Sequence, residues 1–107
     1  RLVGSEMCIR DSRDRYQNVT ISDKGKALNT ELLEAIELEY LLDMSDTTVA
    51  SALHRKESRG AHSRVDHVER DDKNWLKHSF AFKNGDSVKL EYKDVELGNY
   101  EPKERKY

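Results

Sequence analysis

A dense run of apolar side chains between residues 32 and 44 constrains this chain most. An amphipathic surface helix carries one apolar stripe, whereas these residues would surround a helix on more than one side. A chain of 107 residues with 36% hydrophobic and 37% charged residues has little other apolar material with which to cover them. We therefore expect a helix that needs packing partners from outside this chain. The members of the run are Leu32, Leu33, Ala35, Ile36, Leu38, Tyr40, Leu41, Leu42 and Met44.

The predicted helix extends from about Thr30 to Ser58. Asn29 or Thr30 can cap its first turn, and two glutamates near its start suit the positive end of the helix dipole. Basic residues at 54–56 suit the last turns, and Gly60 can adopt the left-handed conformation that ends a helix. Such a helix is roughly 40 Å long at 1.5 Å per residue. The sequence shows no second helix able to cover it.

A β-hairpin is predicted after this helix, because apolar and polar residues alternate on both sides of Asn84, Gly85 and Asp86. A two-residue turn at Asn84 and Gly85 would place the aromatic residues opposite polar ones. A three-residue loop over residues 84–86 places apolar residues opposite each other, and we predict this register. Its pairs are Phe82 with Val88, Phe80 with Leu90 and His78 with Tyr92.

The remaining segments have no regular apolar period. Residues 13–28 are predicted to form an extended loop, and residues 61–74 a second loop. Residues 94–107 contain Pro102, the only proline, and are predicted to form an irregular tail. The fold class is therefore α+β and mainly helical, with one long helix, a loop, a hairpin and a tail.

Residues 1–12, with the sequence RLVGSEMCIRDS, are expected to be a non-native leader. The chain begins with Arg1 rather than methionine, so it was either processed or read from an open frame, and we favour the open frame. The string has no clear helical or strand period and resembles translated sequencing-adapter text. Excluding it removes Cys8, the only cysteine, and with it any disulfide or thiolate ligand in residues 13–107.

Charge and hydropathy exclude two classes of partner. The net charge of −2 comes from 19 basic and 21 acidic residues mixed along the chain, which argues against nucleic acid. No run approaches the roughly 20 apolar residues that span a bilayer, and no secretory leader is visible.

Side chains that could carry chemistry match no known catalytic or metal-binding template. Four histidines and three aspartates could be imagined as a metal site, but no HExxH motif or cysteine pair is present. Serines lack the G-x-S-x-G elbow, and no G-x-G-x-x-G or P-loop occurs. We therefore predict no catalytic, cofactor-binding or metal-binding residue. The residues considered are His54, His62, His67, His78, Asp66, Asp71, Asp72, Ser58, Ser63 and Ser79.

The charged stretch from Arg55 to Arg64 allows two interpretations from its residues alone. It is either a capped, solvated helix end with weak surface ion pairs, or a docking site for anions or another domain. Arg59 and Arg64 carry the second interpretation, because planar guanidinium groups suit carboxylates.

One family shares this stretch in an ordered series of motifs. Lys56-Glu57-Ser58-Arg59-Gly60-Ala61-His62-Ser63-Arg64, then Glu69-Arg70-Asp71-Asp72, then Asn74-Trp75-Leu76-Lys77-His78 resemble the carboxy-terminal domain of succinate dehydrogenase and fumarate reductase flavoproteins. The resemblance extends upstream to Asp23-Lys24-Gly25-Lys26 and downstream to Arg105-Lys106-Tyr107, covering about residues 13–107. The sequence departs from the family pattern at Val65, His67 and Val68.

The resemblance implies a subunit that transfers hydride from succinate to a covalently attached FAD, with electrons passing to an iron–sulfur subunit. The membrane-anchor subunits of such a complex would be indirect partners. The resemblance also implies that the catalytic and flavin-binding residues lie upstream. This piece would then be part of a helical domain, a partial three-helix bundle, that packs on the flavin-binding domain. Arg59, His62 and Arg64 are then candidates for docking near the active site. The implied location is the cytoplasmic face of a bacterial or archaeal inner membrane, or the mitochondrial matrix side.

Two alternatives remain at this point. L-aspartate oxidase shares the Glu-Ser-Arg-Gly and His part of the pattern but is less like the later Arg-Asp-Asp and Asn-Trp elements. A stand-alone helix-plus-hairpin interaction module, with no enzyme attached, is the other.

Overall fold

A computed structural model describes residues 2–103. Its elements are α1 (Leu2–Tyr16), α2 (Thr30–His54), the short α3 (Asp72–Trp75), β1 (Lys77–Asn84) and β2 (Ser87–Asp94). The two strands form one antiparallel hairpin. The α+β, mainly helical fold class is therefore confirmed. The closing residues 105–107 of the resemblance lie outside the described residues.

The start of α2 is capped as its sequence predicts. The Asn29 side chain accepts a hydrogen bond from the Leu32 backbone N–H at 3.0 Å, which satisfies one of the free amides of the first turn. The Glu31 carboxylate accepts two further backbone N–H groups, from Ser22 and Asp23, each at 2.8 Å. These two bonds lower the pKa of Glu31 and tie the preceding loop to the helix.

The end of α2 differs from the prediction, because the helix stops at His54 rather than Ser58. Arg55 already has an extended backbone, with φ −75° and ψ 107°. Gly60 has the expected positive φ, 58°, but not at a helix end. It occupies the first central position of a two-residue turn closed by Arg59 and His62, whose backbones exchange hydrogen bonds of 2.8 and 3.0 Å.

The helix α1 contradicts two predictions from the sequence. Residues 2–12 are helical although their sequence shows no clear helical period, and residues 13–16, predicted as the start of an extended loop, continue the helix. The helix α1 packs along α2 and is a second helix that partly covers it. The Tyr16 hydroxyl donates to the Ala35 carbonyl at 2.9 Å, so contact continues to the last residue of α1.

An ionic cluster joins α1, α2 and β1. Arg13 Nη2 lies 2.9 Å from Asp43 Oδ1 and 2.6 Å from Asp46 Oδ2, and Lys83 Nζ lies 2.5 Å from Asp46 Oδ2. Partial burial acts to raise the pKa of Asp46, but the two cations outweigh it and the pKa is lowered. The cluster therefore fixes three elements to one another through two aspartates on α2.

The hairpin forms as predicted, but in a different register. Gly85, with φ 59°, and Asp86 form a two-residue turn, so that Asn84 pairs with Ser87. Glycine at the first of two turn positions favours a type II′ hairpin. The expected apolar pairs are therefore wrong by one residue. The observed pairs are Phe82 with Lys89, Phe80 with Glu91 and Ser79 with Tyr92.

This register gives the hairpin two distinct faces. Ser79 and Lys83 of β1 contact side chains of α2 and the segment after it, so their face is turned towards the helix. Because side chains alternate along a strand, Phe80 and Phe82 point away from α2. They are 45% and 51% exposed.

Few side chains of the described residues are fully buried. Leu42, 8% exposed, is the buried hydrophobic residue, and Glu57, at 0%, is the buried charged residue. On the face of α2 opposite Leu42, spacings of three and four residues create an exposed apolar stripe, which confirms the expectation that this helix lacks cover on one side. We call it the α2 stripe; its members are Leu33, Ile36, Tyr40, Leu41 and Met44.

Neighbouring leucines on α2 test this division of faces. Leu42→Ala is expected to lower the free energy of unfolding of the chain by about 2–4 kcal/mol, because it opens a cavity at a buried position. Leu41→Ala, at a position 62% exposed, should change it by less than about 0.5 kcal/mol. Urea unfolding followed by circular dichroism measures both. Equal losses for the two variants would contradict the assignment of faces.

Candidate docking site at the end of α2

Beyond His54 the chain leaves the helix, and this changes which side chains meet. Arg55 is extended and Glu57 lies in a bend, so that the side chains of Arg55 and Arg59 both reach the Glu57 carboxylate. In a continued helix, residues two apart would point in different directions. The early end of α2 therefore brings one carboxylate between two guanidinium groups.

Glu57 lies at the centre of this group with its side chain fully buried. Its carboxylate accepts four hydrogen bonds, from Arg55 Nη1 at 2.5 Å, Arg59 Nε at 2.9 Å, Arg59 Nη2 at 3.1 Å and the Asp71 backbone N–H at 2.9 Å. Burial acts to raise the pKa of Glu57, but the donated hydrogen bonds win and the pKa is lowered. Glu57 is therefore held as a carboxylate and connects α2 to the segment that begins α3.

Arg55 ties this group to the start of the hairpin. Its Nη1 donates to the Trp75 carbonyl at 2.9 Å, and its Nη2 donates to the Lys77 carbonyl at 2.7 Å and to Ser79 Oγ at 3.1 Å. The guanidinium also lies 5.4 Å from the centre of the Trp75 ring, a cation–π contact. One side chain thus fixes the position of β1 relative to the end of α2.

Arg59 connects Glu57 to a second carboxylate. Its Nη2 donates to Asp72 Oδ1 at 2.6 Å, and Arg70 makes a bidentate pair with the same Asp72 carboxylate at 2.8 and 2.7 Å. The two arginines, Arg70 first, lower the pKa of Asp72 to about 2. Arg70 also donates to the Lys103 carbonyl at 2.9 Å, which links the network to the tail.

Arg64 and His62 bind the carbonyls that the end of α2 leaves free. Arg64 Nη1 donates to the Leu53 and Arg55 carbonyls at 2.7 and 3.0 Å, and His62 Nε2 lies 3.3 Å from the Arg55 carbonyl. Cationic donors are favourable there because the helix dipole is negative at this end. The other nitrogens of Arg64 pair with Asp66 and lower the pKa of Asp66 to about 2.

Ser58 closes the loop between these groups. Its Oγ accepts the Arg64 backbone N–H at 2.8 Å and donates to the His67 carbonyl at 2.7 Å, while its backbone N–H donates to the Glu69 carbonyl at 3.1 Å. We call residues 55–72, with these contacts, the arginine loop. It is an ordered loop held by internal hydrogen bonds, with a short helix at its end where the sequence predicted only loop.

The three residues selected from the sequence all lie in the arginine loop. Arg59, His62 and Arg64 are held there by internal partners, and the side chains of Arg59 and Arg64 are only 27% and 11% exposed. The interpretation of this stretch as a solvated helix end with weak surface ion pairs therefore does not describe Arg59 and Arg64. Their role in docking stays a prediction.

Sequence reasoning gave no role to Glu57, Arg55 and Ser58, which organise this loop. The available signal was the alternation of charge over Arg55, Glu57 and Arg59, which allows these side chains to meet once the chain leaves the helix. The predicted helix through Ser58 concealed it.

A model of the fumarate reductase flavoprotein C-terminal family matches residues 5–107, including the whole arginine loop. The chain belongs to this family. It is 42% identical over 100 residues to the fumarate reductase flavoprotein subunit of Haemophilus influenzae, covering 92% of this chain and 17% of that protein.

Relatives of this flavoprotein C-terminal region include succinate dehydrogenases. This chain is 43% identical over 101 residues to the mitochondrial succinate dehydrogenase [ubiquinone] flavoprotein subunit of Oryza sativa subsp. japonica. The match covers 88% of this chain and 16% of that protein. The chain is 44% identical over 95 residues to the succinate dehydrogenase flavoprotein subunit of Rickettsia bellii, with the same shares. The chain thus spans about one sixth of the length of these relatives. The family and these relatives favour the succinate and fumarate enzymes over L-aspartate oxidase.

The described residues of this C-terminal region do not fit FAD. A flavin diphosphate needs free cationic donors or a glycine-rich turn whose backbone amides open onto a helix start. The turn before α2 is not such a site. The Leu32 N–H already donates to the Asn29 side chain, and Asp23 Oδ1 occupies the space beside Gly25, 3.0 Å from where a Cβ would lie. Within residues 2–103, the guanidinium groups of the arginine loop already carry carboxylates or carbonyls. Nor do these residues contain a cluster of three His, Cys, Asp or Glu side chains that could hold a metal ion.

Removing the charge of Glu57 tests the centre of the arginine loop. Glu57→Gln removes the buried charge that two partly buried arginines share and leaves Arg59 with Asp72 alone, so it is expected to lower the free energy of unfolding by about 3 kcal/mol or more. Glu39→Gln, an exposed position on α2, should change it by less than about 0.5 kcal/mol. Urea unfolding compares the two. A loss below about 1 kcal/mol for Glu57→Gln would show that the carboxylate is dispensable.

The lowered carboxyl pKa values predict an acid-sensitive loop. Asp66 and Asp72 fall from 3.8 to about 2, and Glu57 falls from 4.5. A depressed pKa contributes stability that is complete above the unfolded value and is lost as pH falls towards the folded value. We expect the free energy of unfolding to change little between about pH 7 and 5 and to decrease from about pH 4.5 to 2. Urea midpoints across this range measure it; a midpoint that stays constant down to about pH 2 would contradict it.

Proposed function

We propose that this chain is the carboxy-terminal region of the FAD-bearing subunit of a succinate dehydrogenase or fumarate reductase. The observation that carries the proposal is the buried Glu57 network, which orders the stretch in which this sequence most resembles that family. The relatives named above support it, since both classes of enzyme are represented among them.

The region contributes structure rather than chemistry in this proposal. FAD, succinate oxidation or fumarate reduction, and electron transfer to an iron–sulfur subunit belong to the complete subunit and its complex. The chain alone is expected to bind neither FAD nor succinate, which flavin titration followed by fluorescence would test. Membrane association would be peripheral and come through partner subunits; no helix in residues 2–103 is long and apolar enough to cross a membrane. The location is the cytoplasmic face of a bacterial or archaeal inner membrane, or the mitochondrial matrix side.

Docking on the flavin-binding domain near the active site is assigned to Arg59, His62 and Arg64. Within residues 2–103, Arg59 uses Nε and Nη2 for Glu57 and Asp72, and its Nη1 makes no hydrogen bond there. A partly exposed guanidinium held by two carboxylates has its orientation set in advance, which lowers the entropy cost of binding. Its Nη1 is therefore suited to a carbonyl or carboxylate of the flavin-binding domain.

The α2 stripe is assigned to contact with helices that precede this region in the complete subunit. Exposed, contiguous apolar side chains on one face of a helix indicate a missing packing partner. The partial three-helix bundle implied by the sequence resemblance would provide that cover.

We also propose that residues 1–12 are foreign to the subunit. Arg13 and Tyr16, both beyond this segment, bind α1 to α2 through hydrogen bonds. The family match, which begins at residue 5, weighs against a boundary at Ser12. Sequencing the gene upstream decides whether residues 1–12 are foreign to the subunit or belong to it. A flavin-binding region that runs directly into Arg13 supports the proposal. A start codon just upstream would instead favour a stand-alone interaction module.

Replacing Arg59 tests the docking assignment. In a chimeric subunit, residues 13–107 replace the aligned region of the Escherichia coli fumarate reductase flavoprotein subunit, which is 42% identical over 102 residues. Arg59→Ala should lower covalent flavin content, assembly with the iron–sulfur partner and succinate oxidation by at least tenfold, because a buried pair loses one partner at a cost of about 3 kcal/mol or more.

The matched control is Lys56→Ala, which removes a cation from an exposed neighbouring position and should leave all three values within twofold. Arg59→Lys keeps the charge but loses the planar fork, so it should recover little. Normal values for Arg59→Ala would contradict the docking assignment and also the importance of the internal Arg59–Glu57 pair.

A further inference from the structure

The hairpin carries its two phenylalanines on the face turned away from the rest of the chain, whereas Leu90 and Tyr92 lie on the inner face. Lys83 Nζ reaches Asp46 at 2.5 Å and Ser79 Oγ accepts from Arg55 at 3.1 Å, so these side chains mark the inner face. Phe80 and Phe82 lie on the other face and are about half exposed. A hairpin that packed only on α2 would be expected to place its aromatic residues inward.

Polar residues surround the two rings on that outer face. Phe82 lies opposite Lys89 and Phe80 lies opposite Glu91, and Lys89 and Glu91 pair with each other at 2.7 Å. An apolar centre with a polar rim is the usual anatomy of a docking surface. We call Phe80, Phe82, Lys89 and Glu91 the outer hairpin face.

We propose that the outer hairpin face docks on the flavin-binding part of the same subunit, which the relatives contain and this chain does not. This inference rests on the proposed function. It adds a second contact to the one assigned to Arg59, on a surface separate from the α2 stripe. The hairpin side would then face the flavin-binding part, and the stripe would face the preceding helices.

The area of the face argues for a tethered partner rather than a second copy of this chain. A fully covered phenylalanine buries about 150–250 Å², so two half-exposed rings offer on the order of 200 Å². A stable dimer needs roughly 800 Å² from each partner. Within one polypeptide a small surface suffices, because the tether holds the partner at an effective concentration near the millimolar range. The relatives are about six times as long as this chain, which provides such a tethered partner.

Hydroxyl-radical footprinting of Phe80 and Phe82 tests the proposal in the chimeric subunit and in the isolated chain, with free phenylalanine as the dose reference. We expect the labelling rate of both rings to be at least fivefold lower in the chimera, and to be independent of concentration in the isolated chain. Equal labelling in both proteins would overturn the proposal. Protection that appears in the isolated chain as its concentration rises would assign the face to a second copy and would also overturn it.

Substitution provides an independent measurement. Phe80→Ser combined with Phe82→Ser should lower the urea midpoint of the chimera but not that of the isolated chain, whereas Asp94→Ser, on the other face of the same hairpin, should change neither. Equal shifts in both proteins would show a local effect on the hairpin and would contradict docking. A second chimera that carries only residues 77–94 repeats the comparison if the first does not accumulate.

Covalent flavin content of the unsubstituted chimera separates the two proposals. If the chimera has a normal covalent flavin content but Phe80 and Phe82 are labelled as fast as in the isolated chain, only the docking of the outer hairpin face is refuted. Protected rings in a chimera without flavin or activity refute the proposed function and leave the docking intact.

Discussion

The structure depends on one buried carboxylate. Glu57 accepts hydrogen bonds from the end of α2, from the arginine loop and from the start of α3, so several segments meet at its two oxygens. A buried ion pair adds little net stability, because desolvation offsets most of the attraction. It imposes geometry instead, since removal of either partner leaves a buried charge. This is the requirement for a loop whose role is to present particular groups to another domain.

The apolar side chains of this chain are distributed differently. Leu42 is buried, while the α2 stripe and the outer hairpin face are exposed. An ionic loop with fixed geometry, together with two uncovered apolar surfaces, is characteristic of a segment that completes its packing within a larger protein. The chain's share of its relatives, about one sixth of their length, agrees with this description.

The sequence predicted elements better than it predicted their ends. The density of apolar residues located α2, Asn29 located its start, and alternation located both strands. The end of α2 was missed because His54 and the basic residues after it suit a helical last turn, whereas the carbonyls there are satisfied by Arg64 and His62 from a distant part of the loop. The hairpin register was missed because apolar pairing was assumed, while glycine at position 85 favours a turn over Gly85 and Asp86.

The candidate site shows the same limit. Arg59, His62 and Arg64 were selected because of the family resemblance, but the network that holds them depends on Glu57, whose burial arises only from tertiary contacts. The helix α1 was missed because its residues carry no clear apolar period, while Arg13 and Tyr16 bind it to α2 through polar contacts that no local pattern reveals.

The coupling between Glu57 and Arg59 tests this account most directly. A double-mutant cycle with Glu57→Gln and Arg59→Met, followed by urea unfolding, separates their interaction from their other contacts. If the carboxylate orders the loop through Arg59, the coupling energy should exceed about 1.5 kcal/mol near neutral pH and should diminish in acid, as Glu57 is protonated. A coupling energy below about 0.5 kcal/mol, unchanged by pH, would show that the two residues act independently and that the loop is ordered by something else.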